Sequence, residues 1–242
     1  MIAQGGKNVY GYRVGILHLE SRFPRIPGDL VNATTLPFPV LYRRVEGASP
    51  SRVVREQDPA LLEPFLEGAR ALEREGVAAI TTNCGFLAMF QKEMAAAVRI
   101  PVFTSSLLQV PLVHRTLPRG AAVGILTVSA ATMGPRQLEG AGIGLDIPLA
   151  VYGLDSEEEF SRVLLDDLPR LDVDKARDEH VRVAKRMLAE RPDVGAIVLE
   201  CTNMPPYARD IQAATGLPVF DIVTLVHWVY LSLTRTAYGG YM

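Results

Sequence analysis

Short apolar runs alternate along this chain with stretches in which apolar residues return every third or fourth position. The runs 13–19 and 121–127, rich in Val, Ile and Leu, have the length and composition of strands buried on both faces of a parallel sheet. Over 59–75 the apolar positions Leu62, Phe65, Leu66, Ala69 and Leu72 share one helical face, and Gly76 stands where a C-terminal cap is needed. An apolar run over 76–82 then leads to Cys84, and 86–98 is again helical in pattern. The second half repeats the alternation, with a helix predicted over 174–190, a strand over 194–199 leading to Cys201, and a helix over 205–215 closed by Gly216.

The repetition extends to short segments. Val14-Gly15-Ile16-Leu17 returns as Val123-Gly124-Ile125-Leu126, and Pro101-Val102-Phe103 returns as Pro218-Val219-Phe220. Each cysteine lies 17 residues before the proline of its half. Matches in one order at nearly one offset mark a duplication, and each unit reads as βαβ. The expected fold is α/β, with two pseudo-symmetric, parallel-sheet, flavodoxin-like lobes and an active site in the cleft between them. Residues 1–103 plus 221–242 are expected to form the lobe carrying Cys84, and residues 104–220 the lobe carrying Cys201. The segments 105–117 and 222–236, which follow the two Pro-Val-Phe triplets, are expected to cross over and pack on the opposite lobe.

Ligands of parallel sheets sit outside the carboxyl ends of the strands, and both cysteines fall there. On composition alone a lone Cys is a small core residue; the equivalent position in both repeats lifts this pair above that reading. Inverting a stereocentre beside a carbonyl requires one group to remove a proton and another, on the opposite face, to return one. Two opposed thiols do this without a cofactor, one as thiolate and one as thiol, and a helix N-terminus lowers a thiol pKa from about 8.5 toward neutrality. Thr82, Asn83 and Gly85 around Cys84, and Thr202 and Asn203 after Cys201, are candidate contacts to a substrate carboxylate, with helix capping an equally good account of Asn203.

The loop over 20–35 adds Glu20, Arg22, Arg25, Gly28, Asp29 and Asn32. An arginine there would clamp a carboxylate bidentately, unless both arginines are solvated loop charges. Thr127, Ser129 and Thr132 hold the corresponding place in the second half. His18, near the end of the first strand, could face the cleft, whereas His114, His180 and His227 lie in helical stretches. No His/Cys/Asp spacing suits a metal, and no Gly-x-Gly-x-x-Gly or Walker-type loop supports nucleotide binding. The acidic run over 155–159 reads as the start of a solvated helix.

Bulk properties narrow the partners. With 48% hydrophobic and 21% charged residues and a formal net charge of -2, the chain is neither disordered nor basic enough to bind a phosphate backbone. No run reaches the roughly 18 to 20 apolar residues of a membrane span, and the first residues lack a secretory pattern, so a cytoplasmic location and free thiols are expected.

The segments TTNCGFLAMFQ and LECTNMPPYA resemble the two cysteine motifs of the aspartate/glutamate/hydantoin racemase superfamily, and FPRIPGDLVNATTLPFPV resembles a subgroup of it. The resemblance covers essentially the whole chain. It implies two α/β lobes, no pyridoxal phosphate, no metal, and a small-molecule substrate that is an amino acid or a related carbon acid. Cys84 and Cys201 match the catalytic pair, and Thr202 matches a threonine that helps hold a substrate carboxylate. Gly85-Phe86 stands where many members have Asn-Thr, and Glu200 where many have glycine. A homo-oligomer, first of all a dimer, is implied as well. The expected activity is a two-base racemase, with a maleate-type cis–trans isomerase using a nucleophilic cysteine as the alternative. Decarboxylation, which in related enzymes needs only one of the cysteines, ranks below both. A non-catalytic small-molecule binder, with the thiols as bystanders or a redox switch, is the reading from a different class.

Overall fold

A computed structural model describes residues 2–7 and 9–241. Its two sheets have four parallel strands each, in equivalent order. The first runs β2 (Val40–Arg44), β1 (Val14–His18), β3 (Ala79–Thr82), β4 (Val102–Phe103); the second runs β6 (Leu149–Gly153), β5 (Ala122–Thr127), β7 (Val194–Leu199), β8 (Val219–Phe220). Registers correspond as well, with Val14 opposite Val40 and Ala79 in one sheet and Val123 opposite Leu149 and Ala196 in the other.

The central strands are buried runs of aliphatic residues because helices cover them. Helix α1 (Leu62–Glu75) turns Phe65, Ala69 and Leu72 inward and is stopped by Gly76. After Cys84 the chain first makes a 3₁₀ turn, Gly85–Phe90, and only then α2 (Gln91–Ala96), so the helix expected from 86 is tighter and shorter. Helices α3 (Val110–Thr116), α4 (Pro135–Gly140) and α5 (Phe160–Leu165) follow. The long α6 (Val173–Glu190) covers the second sheet in the place that α1 holds on the first, and α7 (Ala208–Thr215) and α8 (Ile222–Leu233) complete the chain.

Two segments leave the sheet they follow. Leu107, Val110 and Val113, after β4, pack on Val123, Ile125, Ala196 and Val198 of the second sheet. Ile222, Leu225, Val226 and Val229 of α8, after β8, pack on Val14, Ile16 and Ala79 of the first. Each sheet therefore buries an apolar face under a helix supplied by the other half of the chain, which couples the two halves through their cores.

One expectation about the surface is corrected. Residues 155–159 do not begin a solvated helix; α5 starts at Phe160, and Glu159 is buried, accepting the Asp172 N–H at 2.9 Å. The backbone N–H groups of Glu159 and Phe160 donate in turn to Glu179 of α6, each at 2.8 Å. The acidic residues face unpaired amides at a helix start, where negative charge is favoured.

Candidate active site

Cys84 and Cys201 lie two residues beyond the ends of β3 and β7 and line one narrow cleft with Leu19, Phe23, Arg25, Asn83, Phe86, Glu200 and Asn203; Pro50, Val54, Val128, Leu164 and Leu165 complete its apolar wall. The cleft is tight, with an internal volume of about 20 Å³. A larger apolar groove beside α3 and α8, lined by Phe103, Leu112, Phe220 and Trp228, carries no ionisable side chain and so offers no acid or base.

The thiols are reduced, buried and unlike in their partners. Cys84 stands at the start of the 3₁₀ turn, its carbonyl accepting the Leu87 N–H at 3.1 Å, and the backbone amides of Phe86 and Leu87 favour its thiolate. Cys201 donates its S–H to Asn203 Oδ1 at 3.4 Å. The expected lowering of the thiol pKa by a helix N-terminus is outweighed. Burial first, and the negative charge of Glu200 second, push Cys84 up to about 12 and Cys201 well above the usual thiol range. In the closed cleft both sulfurs are thiols.

Glu200 is the residue whose importance the sequence only hinted at. It is 1% exposed, and burial raises its carboxyl to about 7 despite a 2.8 Å hydrogen bond donated by Thr127 to Oε2. Its other oxygen, Oε1, is buried without a hydrogen-bond partner. A Cβ on Gly85 would fall on both this Oε1 and the Glu200 carbonyl oxygen, so the two departures from the family pattern meet in space.

The loop after β1 supplies the cationic wall. Arg25 lines the cleft, stacked over the Phe23 ring at 4.2 Å. Its guanidinium donates to both oxygens of Asp29 at 3.2 Å and to Ser21 at 2.8 Å. Asp29, 2% exposed, also accepts from Asn203 Nδ2 at 2.5 Å, tying the arginine to the Cys201 loop of the other half. Gly28 makes this docking possible: its φ is +101°, and a Cβ there would lie 2.8 Å from Pro206 Cα. The sequence placed Asp29 and Gly28 in this loop without assigning them these roles.

Several sequence-predicted contacts turn elsewhere. Thr82 is fully buried and donates to the Thr104 carbonyl at 2.7 Å. Thr202 donates to the Asn83 carbonyl, clasping the two cysteine loops together. Thr127 serves Glu200, and Ser129 donates its N–H to the Thr127 hydroxyl at 3.4 Å. The Thr132 hydroxyl is buried without a partner, away from the cleft. Asn32 holds the loop by donating to the Arg25 carbonyl at 2.8 Å. Glu20 faces outward, accepting the Gly47 N–H at 2.9 Å and pairing with Arg44 at 3.5 Å. Gly85 contributes closeness rather than a contact of its own, and Arg22 is an exposed partner of Asp167.

Asn83 does line the cleft, its Oδ1 held by the Leu19 N–H at 2.8 Å and its buried Nδ2 unpaired. His18 is half-buried beside Tyr42 and outside the thiol cleft. His180 is wholly buried in α6, bonded to the Ala176 carbonyl at 2.7 Å and stacked on Tyr207. Among the described residues no cluster of three or more His, Cys, Asp or Glu side chains has metal-binding geometry, and no helix is long and apolar enough to cross a membrane.

Fold and site together define a two-lobed α/β enzyme with paired thiols at the mouth of its equivalent strands. Residues 41–229 match the family described as Asp/Glu/Hydantoin racemase, and the chain belongs to that family. It is 32% identical over 222 residues to a dimethylsulfoniopropionate lyase of Durusdinium sp. clade D, covering 89% of this chain and 73% of that protein. Dimethylsulfoniopropionate lyase 7 of Emiliania huxleyi (strain CCMP1516) is 31% identical over 226 residues, 87% of this chain and 64% of its own length. Allantoin racemase from Klebsiella pneumoniae shares the fold, with a TM-score of 0.59 at 18% identity, covering 94% of this chain and 91% of that one.

Proposed function

We propose that this chain is a carbon-acid lyase that cleaves dimethylsulfoniopropionate, or a sulfonium carboxylate of its kind, into dimethyl sulfide and acrylate. The observation that carries the reading is that Cys84 and Cys201 line one apolar cleft beside the Arg25 guanidinium. Similarity to named lyases over 89% and 87% of the chain favours elimination over racemisation as the use of that pair.

The reaction needs three bond changes. A base removes a proton from the carbon beside the carboxylate; the C–H electron pair becomes the C=C bond; the C–S bond breaks and sulfur leaves with its electrons as neutral dimethyl sulfide. The proton stays on the base until it is lost to solvent. The difficult moment is the first, because the emerging carbanion places more negative charge on the carboxylate. Arg25, oriented by Asp29 and Ser21, is placed to offset that charge. One cysteine, as thiolate, takes the proton, while the other, still a thiol, donates a hydrogen bond to the carboxylate. Apolar walls keep water from weakening these interactions. Because a volume of about 20 Å³ accommodates little more than a water molecule, substrate entry requires the loop bearing Arg25 to draw back from the Cys201 loop.

A two-base racemase is the second reading, favoured by the equivalent places of the cysteines after β3 and β7. One experiment separates the two. Purified protein is incubated in D₂O with dimethylsulfoniopropionate and, separately, with single-enantiomer amino acids and hydantoins, and the products are followed by NMR and headspace gas chromatography. Dimethyl sulfide with equimolar acrylate is the expected result. Deuterium exchange with formation of an antipode, and no sulfide, would overturn the lyase in favour of the racemase.

A further inference from the structure

Glu200 sets a problem for the chemistry just described. A carboxylate beside two thiols opposes the thiolate that any carbon-acid reaction here requires. It is nonetheless built in: Thr127 orients one oxygen, Gly85 is bare to admit the other, and that second oxygen has no partner inside the protein. An unpartnered, buried carboxylate oxygen on a residue that lines the thiol cleft calls for a cation from outside the chain.

We propose that Glu200 is the seat of the substrate's cation, holding a fully alkylated onium group against its free Oε1 while Arg25 takes the carboxylate at the other end. This rests on the reading that the substrate is a sulfonium carboxylate. The two charged residues line the same cleft, so a short zwitterion spans them with its reacting carbons beside Cys84 and Cys201. An onium group rather than a primary ammonium follows from the walls. An ammonium brings three N–H donors, and apart from Glu200 the surroundings are largely apolar, with Leu19, Phe86, Val128, Leu164 and Leu165 among them. Alkylated sulfur or nitrogen has no such donors to satisfy, is weakly hydrated, and gains from the Phe86 ring. The bound cation also offsets the Glu200 charge, the second cause after burial of the raised thiol pKa values, and so eases formation of the thiolate when substrate is present.

As the C–S bond breaks, the sulfur loses its charge. Glu200 therefore holds the substrate more tightly than the transition state, and its removal shows in KM rather than kcat.

The test uses the whole chain and three carboxylates: 3-(trimethylammonio)propanoate, its isosteric neutral-headed carbon analogue 4,4-dimethylpentanoate, and the smaller primary amine 3-aminopropanoate. Binding is measured by calorimetry and by protection of the thiols from iodoacetamide, on the wild type and on Glu200→Gln. The expected wild-type result is at least tenfold tighter binding of the trimethylammonio compound than of either other one. In Glu200→Gln the advantage over the neutral analogue collapses to about onefold, and KM for dimethylsulfoniopropionate rises about tenfold or more with kcat not reduced. Equal binding of the cationic and neutral analogues by the wild type would overturn the proposal without any variant. So would an undiminished preference in Glu200→Gln, or tighter binding of the primary amine. If the wild type binds the onium analogue selectively but releases no dimethyl sulfide, the lyase reading fails while the cation seat stands; if it releases sulfide but ignores the charge, the reverse holds.

Discussion

Glu200 is packed directly against Gly85. Placing a methyl on Gly85 collides with both the side chain and the carbonyl of Glu200. Gly85→Ala is expected to cost about 3 kcal/mol in chemical denaturation, at the upper end for overpacking, and adding Glu200→Ala recovers only part because the carbonyl remains. The buried carboxyl also leaves a signature in stability. Its pKa is raised in the folded state to about 7 from an ordinary 4.5, so the native state binds the proton more tightly. Stability is therefore highest below about pH 4.5 as far as this group is concerned, falls as pH rises to about 7, and stays lower above it. Glu200→Gln is expected to raise the melting temperature relative to wild type at pH 8 and by much less at pH 5. Equal effects at both pH values would mean that Glu200 is not titrating as described. The cysteines themselves were legible in the sequence, because a residue at the same place in two repeats stands out from a core thiol. Their raised pKa values were not, since these depend first on burial and, for Cys84, on Glu200, which only folding brings near.

At the scale of elements, the cysteine loops and the loop after β1 act as one unit. Arg25, Asp29 and Asn203 form a chain of hydrogen bonds across the two halves, and Gly28 lets the first loop lie against Pro206. Gly28→Ala, at φ +101° and with no room for Cβ, is expected to lower stability by about 1–3 kcal/mol and to raise KM several-fold, checked by denaturation and steady-state kinetics. An unchanged KM in the folded variant would show that the loop does not set the position of Arg25. The pattern of apolar positions gave away the central strands and long helices, whose burial on one or both faces is written in their residues. Edge strands were harder to see: β2 reads Val-Leu-Tyr-Arg-Arg and is half-exposed, so it carries neither a continuous apolar run nor a clean alternation. The threonines were ambiguous for a different reason. Thr82 and Thr127 at strand ends and Thr202 in the loop after β7 carry hydroxyls that can serve either a ligand or a nearby polar group of the chain, and all three donate to the chain.

Across the whole molecule, the two halves exchange helices in their cores and also meet at the rim of the cleft. Asp167, in the left-handed region at φ +53°, accepts the backbone N–H groups of Arg22 and Phe23 at 2.6 and 3.2 Å, fastening the start of the Arg25 loop to the opposite half. Asp167→Gly keeps the backbone conformation and removes the carboxylate. It is expected to raise KM about threefold to tenfold while kcat changes less, since the anchor holds the closed cleft rather than reacting; a fall in kcat with KM unchanged would place Asp167 elsewhere in the mechanism. The two-lobed architecture was readable because duplication wrote it twice. The substrate was not, because the cleft is lined by Glu200, Arg25 and apolar residues drawn from loops far apart in the chain.

The most direct measurement is the rate of dimethyl sulfide release from dimethylsulfoniopropionate by the wild type, Cys84→Ala and Cys201→Ala, each checked for an unchanged melting temperature. The expected result is turnover by the wild type and a loss of about 10²-fold or more in kcat/KM in both variants, the scale of a lost general acid or base. Full activity in either variant would contradict a reaction run by both thiols.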